Sequence, residues 1–162
     1  MKSLTITLLF VAALVAAPTA MSQPVNANEI ASCTNPQGQA FFPLRGDNPN
    51  NTAGWQKDGI AGGRITLAKA GGDKLDILYI DSRRQMMSVV RDGGKILPIR
   101  ATESEISVLA VSDDQTEIYT FWRNKEGKLE FSMLQSRGGK ATNPKAGVMV
   151  GSCDFIIFPN AK

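Results

Sequence analysis

Histidine is absent from all 162 residues. Its absence removes the commonest general base, the commonest metal ligand and the side chain that titrates near neutrality. Ser-His-Asp and Cys-His triads are thereby excluded. Two cysteines without imidazole serve a zinc site poorly. Aromatic residues are scarce at 7%, charged residues reach 20%, and the net charge is only +3. No basic run is interleaved with aromatics, so nucleic acid is not an expected partner. The phosphate-binding loop is missing as well, because Gly59-Ile60-Ala61-Gly62-Gly63 lacks the Lys-Ser/Thr pair that holds phosphates. No metal or other cofactor is expected, and no residue is expected to be catalytic.

What is present begins with an export signature. Lys2 supplies a positive charge, and Leu4 to Ala17 form an apolar stretch followed by small residues and a proline. The stretch is shorter than the roughly 20 residues that cross a bilayer as a helix. Val25-Asn26-Ala27 fits a small-x-small cleavage site. The expected organisation is a signal peptide over 1–27 and a single β-rich domain over 28–162, periplasmic or secreted, with no membrane span. Ala20-Met21-Ser22 is the alternative cleavage site.

Cys33 and Cys153 stand near the two ends of that domain. An even count in an exported chain predicts a disulfide between them. The rival reading, a lipidated Cys33 after Ile30-Ala31-Ser32, requires the cysteine to follow the apolar stretch directly. Polar Gln23, Asn26, Asn28 and Glu29 intervene instead.

Residues 34–63 are rich in Gly, Pro and Asn and read as an irregular segment. Within it, Arg45-Gly46-Asp47 reads as plain loop. Beyond it, short apolar runs recur at roughly 10-residue spacing between turn residues, which predicts an antiparallel meander. Strands are expected near 64–69, 74–80, 86–91, 95–100, 105–112, 116–123, 128–135 and 147–157. Leu129, Phe131 and Met133 alternate along one face. Asp92-Gly93 is a signal for a tight type I′ hairpin. Thr102-x-x-Glu105 has the form of a helix capping box, but the β-branched residues that follow favour a strand. The fold class expected is mainly β, an antiparallel up-and-down barrel or closed sandwich of about eight strands, since closure removes exposed edges.

Two strands are apolar on both faces, with Leu78 and Ile80 opposing Leu75, Ile77 and Tyr79, and Ile118 and Trp122 opposing Tyr119 and Phe121. A strand buried on one side alternates more cleanly. The irregular segment, a second sheet or self-association would each account for it.

Candidate site residues are few. Trp55, Lys57 and Asp58 lie in a Gly-rich stretch and would form a ligand lip at a barrel mouth, although Trp55 as a plug of the barrel end is favoured over that role. Arg83-Arg84 is an anion-binding candidate with a solvated pair as the plainer reading. Asp76, Asp81, Glu103, Glu105 and Glu130 are the acids from which a carboxylate-based hydrolase would have to draw its pair. In outline, Cys33, the Tyr119-Thr120-Phe121-Trp122 strand and Cys153 resemble small periplasmic β-barrels, including bacterial inhibitors of lysozyme. The Ser-Ala-Ser-Gly-like loop of such inhibitors does not occur here, so the resemblance carries over no functional residue. The function expected is a non-catalytic exported binding or accessory protein acting on a protein or small ligand. An enzyme inhibitor is the first alternative and a hydrolase the second.

Overall fold

Alternation decides the architecture. In Gln115–Arg123 the odd-numbered Glu117, Tyr119 and Phe121 are buried, and in Leu129–Arg137 so are Phe131, Met133 and Gln135. Each strand therefore buries one face against a common core. The computed structural model describes residues 28–44, 53–80, 85–138 and 141–159. The expected leader, Arg45-Gly46-Asp47, Asp81 and Arg83-Arg84 lie outside them.

Ten strands are formed: β1 Glu29–Phe42, β2 Gly54–Gly59, β3 Arg64–Lys69, β4 Leu75–Ile80, β5 Met86–Ser88, β6 Lys95–Ala101, β7 Glu105–Val111, β8 Gln115–Arg123, β9 Leu129–Arg137 and β10 Lys145–Ile156. They make one antiparallel sheet in the order β5-β4-β3-β1-β10-β9-β8-β7-β6, with β2 paired to β1 off that path. No helix occurs among the described residues, and the sheet curls into a half-barrel.

The mainly β expectation holds; of the closed barrel or sandwich, the described residues show a single antiparallel sheet curled into a half-barrel, with β4 and β6 in contact. The two ends of the sheet, β5 and β6, follow one another in the chain and share no ladder among the described residues. The six residues between them instead close upon themselves. Asp92 N–H donates to Ser88 O (3.0 Å), Gly93 N–H to Val90 O (3.1 Å) and Gly94 N–H to Val89 O (2.8 Å). Of the Asp92-Gly93 pair only Gly93 has positive φ, at 93°, so the type I′ hairpin is absent. Asp76 fixes this turn from β4, accepting from Ser88 Oγ (2.6 Å) and Val90 N–H (3.1 Å). Thr102 Oγ1 does accept from Glu105 N–H (3.0 Å), yet that capped turn opens into strand β7.

The irregular stretch expected over 34–63 is largely strand. β1 runs fourteen residues and changes partner partway, pairing β3 through Glu29–Thr34 and β2 through Gln37–Phe42. The switch falls at Asn35, whose φ is 53°, and Pro36, where the register with β10 also slips. Proline cannot donate to a ladder and is tolerated at such a bulge. Beyond the bulge β1 crosses β10 closely. A Cβ on Gly38 would lie 1.8 Å from Val148 O, so this position admits only glycine without a backbone shift.

Cys33 and Cys153 are register partners on β1 and β10 and are bonded to each other. The crosslink lies mid-sheet. It joins the branch β3–β5 to the branch β6–β10.

The apolar second faces are also resolved. Leu97, Leu109, Ile118, Leu134 and Val148 are successive register partners across β6 to β10 and form a transverse stripe. Leu97, Leu134 and Val148 are exposed. Neither the residues of 34–63 nor a second sheet covers this stripe among the described residues.

Candidate functional site

The concave face is built in register rows that change character along the strands. Ile106, Phe121, Phe131 and Gly151 form one row, with the Phe121 and Phe131 rings stacked at 6.2 Å. Next come Val108, Tyr119, Met133 and Met149. The following row is Ala110, Glu117, Gln135 and Gly147, and beyond it stand Gln115, Arg137 and Lys145. The core thus grades from aromatic to charged toward one end of the half-barrel. At that end lies a cavity of about 290 Å³. Met133, Met149 and Ile65 supply apolar lining, and Glu117, Gln135 and Lys145 polar lining.

The charges there are matched. Lys145 Nζ bonds Asp58 Oδ2, with both side chains largely buried, and lies 5.8 Å from the centre of the Phe42 ring. Gln135 Nε2 donates to the same Asp58 oxygen at 3.4 Å. Arg137 Nη2 stands 3.9 Å from Glu117 Oε1, an ion pair too long to be a hydrogen bond. Glu117 Oε2 accepts from the Tyr119 hydroxyl at 2.6 Å.

Two polar atoms are left over. Gln135 Oε1 and Arg137 Nε are buried and have no hydrogen-bond partner among the described residues. Gln135 as a whole is only 4% exposed. An unsatisfied buried polar group costs about 1–3 kcal/mol.

Burial, and after it the carboxylate of Glu117, hold the Tyr119 phenol well above its ordinary value of 10.0. The fold favours the neutral phenol. Its contribution to stability is therefore complete below about pH 10 and declines as pH climbs toward the raised native value. In a Tyr79→Phe variant, which leaves Tyr119 as the sole tyrosine, no phenolate absorbance near 295 nm should develop at pH 10–11 while the near-UV dichroism remains native. A normal phenolate curve in the folded state would contradict the buried Tyr119–Glu117 pair.

Of the residues expected at the site, only Asp58 reaches it. As a strand, β2 alternates. Asp58 sits opposite Gly38 and, through it, Met149 on the concave side, whereas Lys57 is exposed and Trp55 projects from the other face. Trp55 is 66% exposed and meets Phe41 edge-on at 5.9 Å, so it plugs nothing. Period-two geometry separates what the sequence places side by side.

The carboxylates weighed for a hydrolase are dispersed. Asp76 belongs to the β5 turn, Glu105 pairs with Arg100 at 3.2 Å, Glu103 is exposed, and Glu130 lies on β9, which is no neighbour of β4. Glu117, Gln135, Arg137 and Lys145 were not singled out from the sequence. The signal for them was available: the phase of Phe131 and Met133, continued two steps, reaches Gln135 and Arg137, polar residues on an apolar face. No group of three or more Cys, Asp or Glu arranged for a metal ion occurs among the described residues. Among them, no helix is long and apolar enough to cross a membrane.

Set against known families, curated proteins and solved structures, the chain matches none.

Proposed function

We propose that the protein is an exported, non-catalytic binding protein that takes a small ligand into the polar end of its half-barrel. One observation carries the reading: a cavity of about 290 Å³ whose wall combines Met133, Met149 and Ile65 with Gln135, Glu117 and the Asp58–Lys145 pair. Small-ligand cavities range over roughly 300–1,000 Å³ and combine apolar lining with a few placed polar groups. A filled interior would instead have favoured a protein partner, as an enzyme inhibitor requires. Binding is favoured over catalysis because both acids of the cavity engage a base, Asp58 with Lys145 and Glu117 with Arg137. The disulfide is compatible with export.

A ligand-observed NMR screen of small polar fragments tests the reading against a plugged variant, Gln115→Trp, since Gln115 lines the cavity and is half-buried. Saturation transfer is expected with the wild type and not with the plugged chain. Fragments that bind both equally, or none that binds, would overturn it.

A further inference from the structure

We infer that the free edge of β2 pairs with the same edge of a second copy, forming an antiparallel dimer about a two-fold axis through Gln56. The pairing is independent of the cavity.

Three strands end the sheet: β5 and β6 at the two ends of its path, and β2 on the branch that leaves β1. Exposed edges invite pairing with another chain, and short strands, prolines, bulges and charges prevent it. β5 is three residues long, and β6 carries Pro98 with a register shift beside it. β2 has six residues and no proline, and its ladder with β1 runs without a shift. Its remaining guard is the charge of Lys57, and register decides whether that charge repels.

The ladder fixes which backbone groups face outward. Ile60 N–H donates to Pro36 O at 3.0 Å. With Gly59 opposite Gln37, antiparallel alternation then turns the N–H and C=O of Gly54, Gln56 and Asp58 toward β1 and those of Trp55 and Lys57 away from it. Gly59 N–H also points away and donates to Asp58 Oδ1 at 3.0 Å. Among the described residues, no backbone hydrogen bond uses the outward groups of Trp55 and Lys57.

Two copies can join these edges only where outward groups oppose outward groups. An axis through Lys57 would face two ammonium groups. An axis through Trp55 would set Lys57 against Ala53, outside the strand. An axis through Gln56 sets Trp55 of each copy against Lys57 of the other, on the face where both are exposed. Each of those pairs exchanges both of its backbone hydrogen bonds and brings an ammonium to an indole. The lysine that would repel a copy in one register attracts it in this one. Trp55 is 66% exposed, and Phe41, edge-on at 5.9 Å, already orients its ring.

Sedimentation equilibrium of the full oxidised chain tests the pairing. A six-residue seam is smaller than a standard interface of about 1,600 Å², so the mass is expected to rise from monomer toward dimer between about 10 µM and 1 mM. Lys57→Pro deletes an outward N–H that β1 does not use, a change edge strands tolerate. It should weaken the dimer at least about tenfold. Lys57→Glu alters no backbone group and should also weaken it; this variant decides if the first loses its native near-UV dichroism. Gln56→Cys reads the register. Across the axis its Cα atoms would lie about 4.5 Å apart, within disulfide range. It should crosslink two chains on mild oxidation, whereas Trp55→Cys and Lys57→Cys should not. A chain that stays monomeric throughout, a dimer that both Lys57 variants leave unchanged, or crosslinking through Lys57→Cys in preference to Gln56→Cys overturns the inference.

Discussion

Replacing Cys33 and Cys153 together by alanine is expected to lower the unfolding free energy by about 2–5 kcal/mol. The bond closes a loop of 120 residues, and the chain-entropy model credits a crosslink of that span with roughly 4–5 kcal/mol, before strain and residual unfolded structure reduce it. Position adds to span. Strands β3, β4 and β5 reach the rest of the sheet through β1, and β1 meets β10 at a ladder interrupted by bulges. With the crosslink gone, that irregular ladder and the contact of β4 with β6 hold the two branches together. The loss should therefore be uneven. Amide exchange should accelerate most in β1 and β3–β5, while β7–β9, joined by unbroken ladders, should change least. Urea denaturation of the oxidised chain against the double variant reads the total. Coincident midpoints would show that the bond adds nothing beyond what the ladder already supplies.

The same contrast between regular and interrupted pairing explains what the sequence disclosed. From residue 64 onward each strand is a short apolar run ended by turn residues, and the eight strands expected there all form, with boundaries mostly within two residues. β5 is the shortest, ending at Ser88 because the backbone turns onto itself there. β1 was illegible because Asn35, Pro36 and Gly38 interrupt its pattern. These residues are its working parts: a positive φ, a bulge without an N–H, and a close crossing of β10. Pattern reading penalises each of them, while the tertiary structure requires them. The turn that follows β5 was equally hidden, since it depends on hydrogen bonds within 89–94 and on Asp76, a strand residue committed to that turn. As for the site, sequence reading reached Asp58 and missed its partner Lys145, 87 residues away. Only the sheet register brings those two together.

That pair carries the second large effect. Asp58→Ala is expected to cost about 3 kcal/mol or more, because it leaves Lys145 buried with its charge uncompensated. The Lys145 side chain is 9% exposed and that of Asp58 16%, so solvent screens the interaction little. The Phe42 ring near Lys145 offers a cation–π contact of about 0.5–2 kcal/mol, too weak to replace a carboxylate. Lys145→Met should also destabilise, though less, since the remaining Asp58 keeps the Gln135 amide donor. The double variant Asp58→Ala/Lys145→Met removes both charges and should recover most of the loss, as buried pairs replaced by apolar residues commonly do. Thermal or urea melts of the four proteins form a double-mutant cycle. Additivity within about 0.5 kcal/mol would mean the two groups act independently. The pair also has a geometric consequence. β2 has β1 as its only ladder partner among the described residues, and the Asp58 side chain reaches from it to Gln135 of β9 and Lys145 of β10. Cutting that tether frees one wall of the cavity, so Asp58→Ala should weaken fragment binding even at temperatures where the rest of the sheet is intact. The double variant should restore stability without restoring the wall. A variant that is stable yet binds poorly is the result that separates what Asp58 does for the fold from what it does for the site.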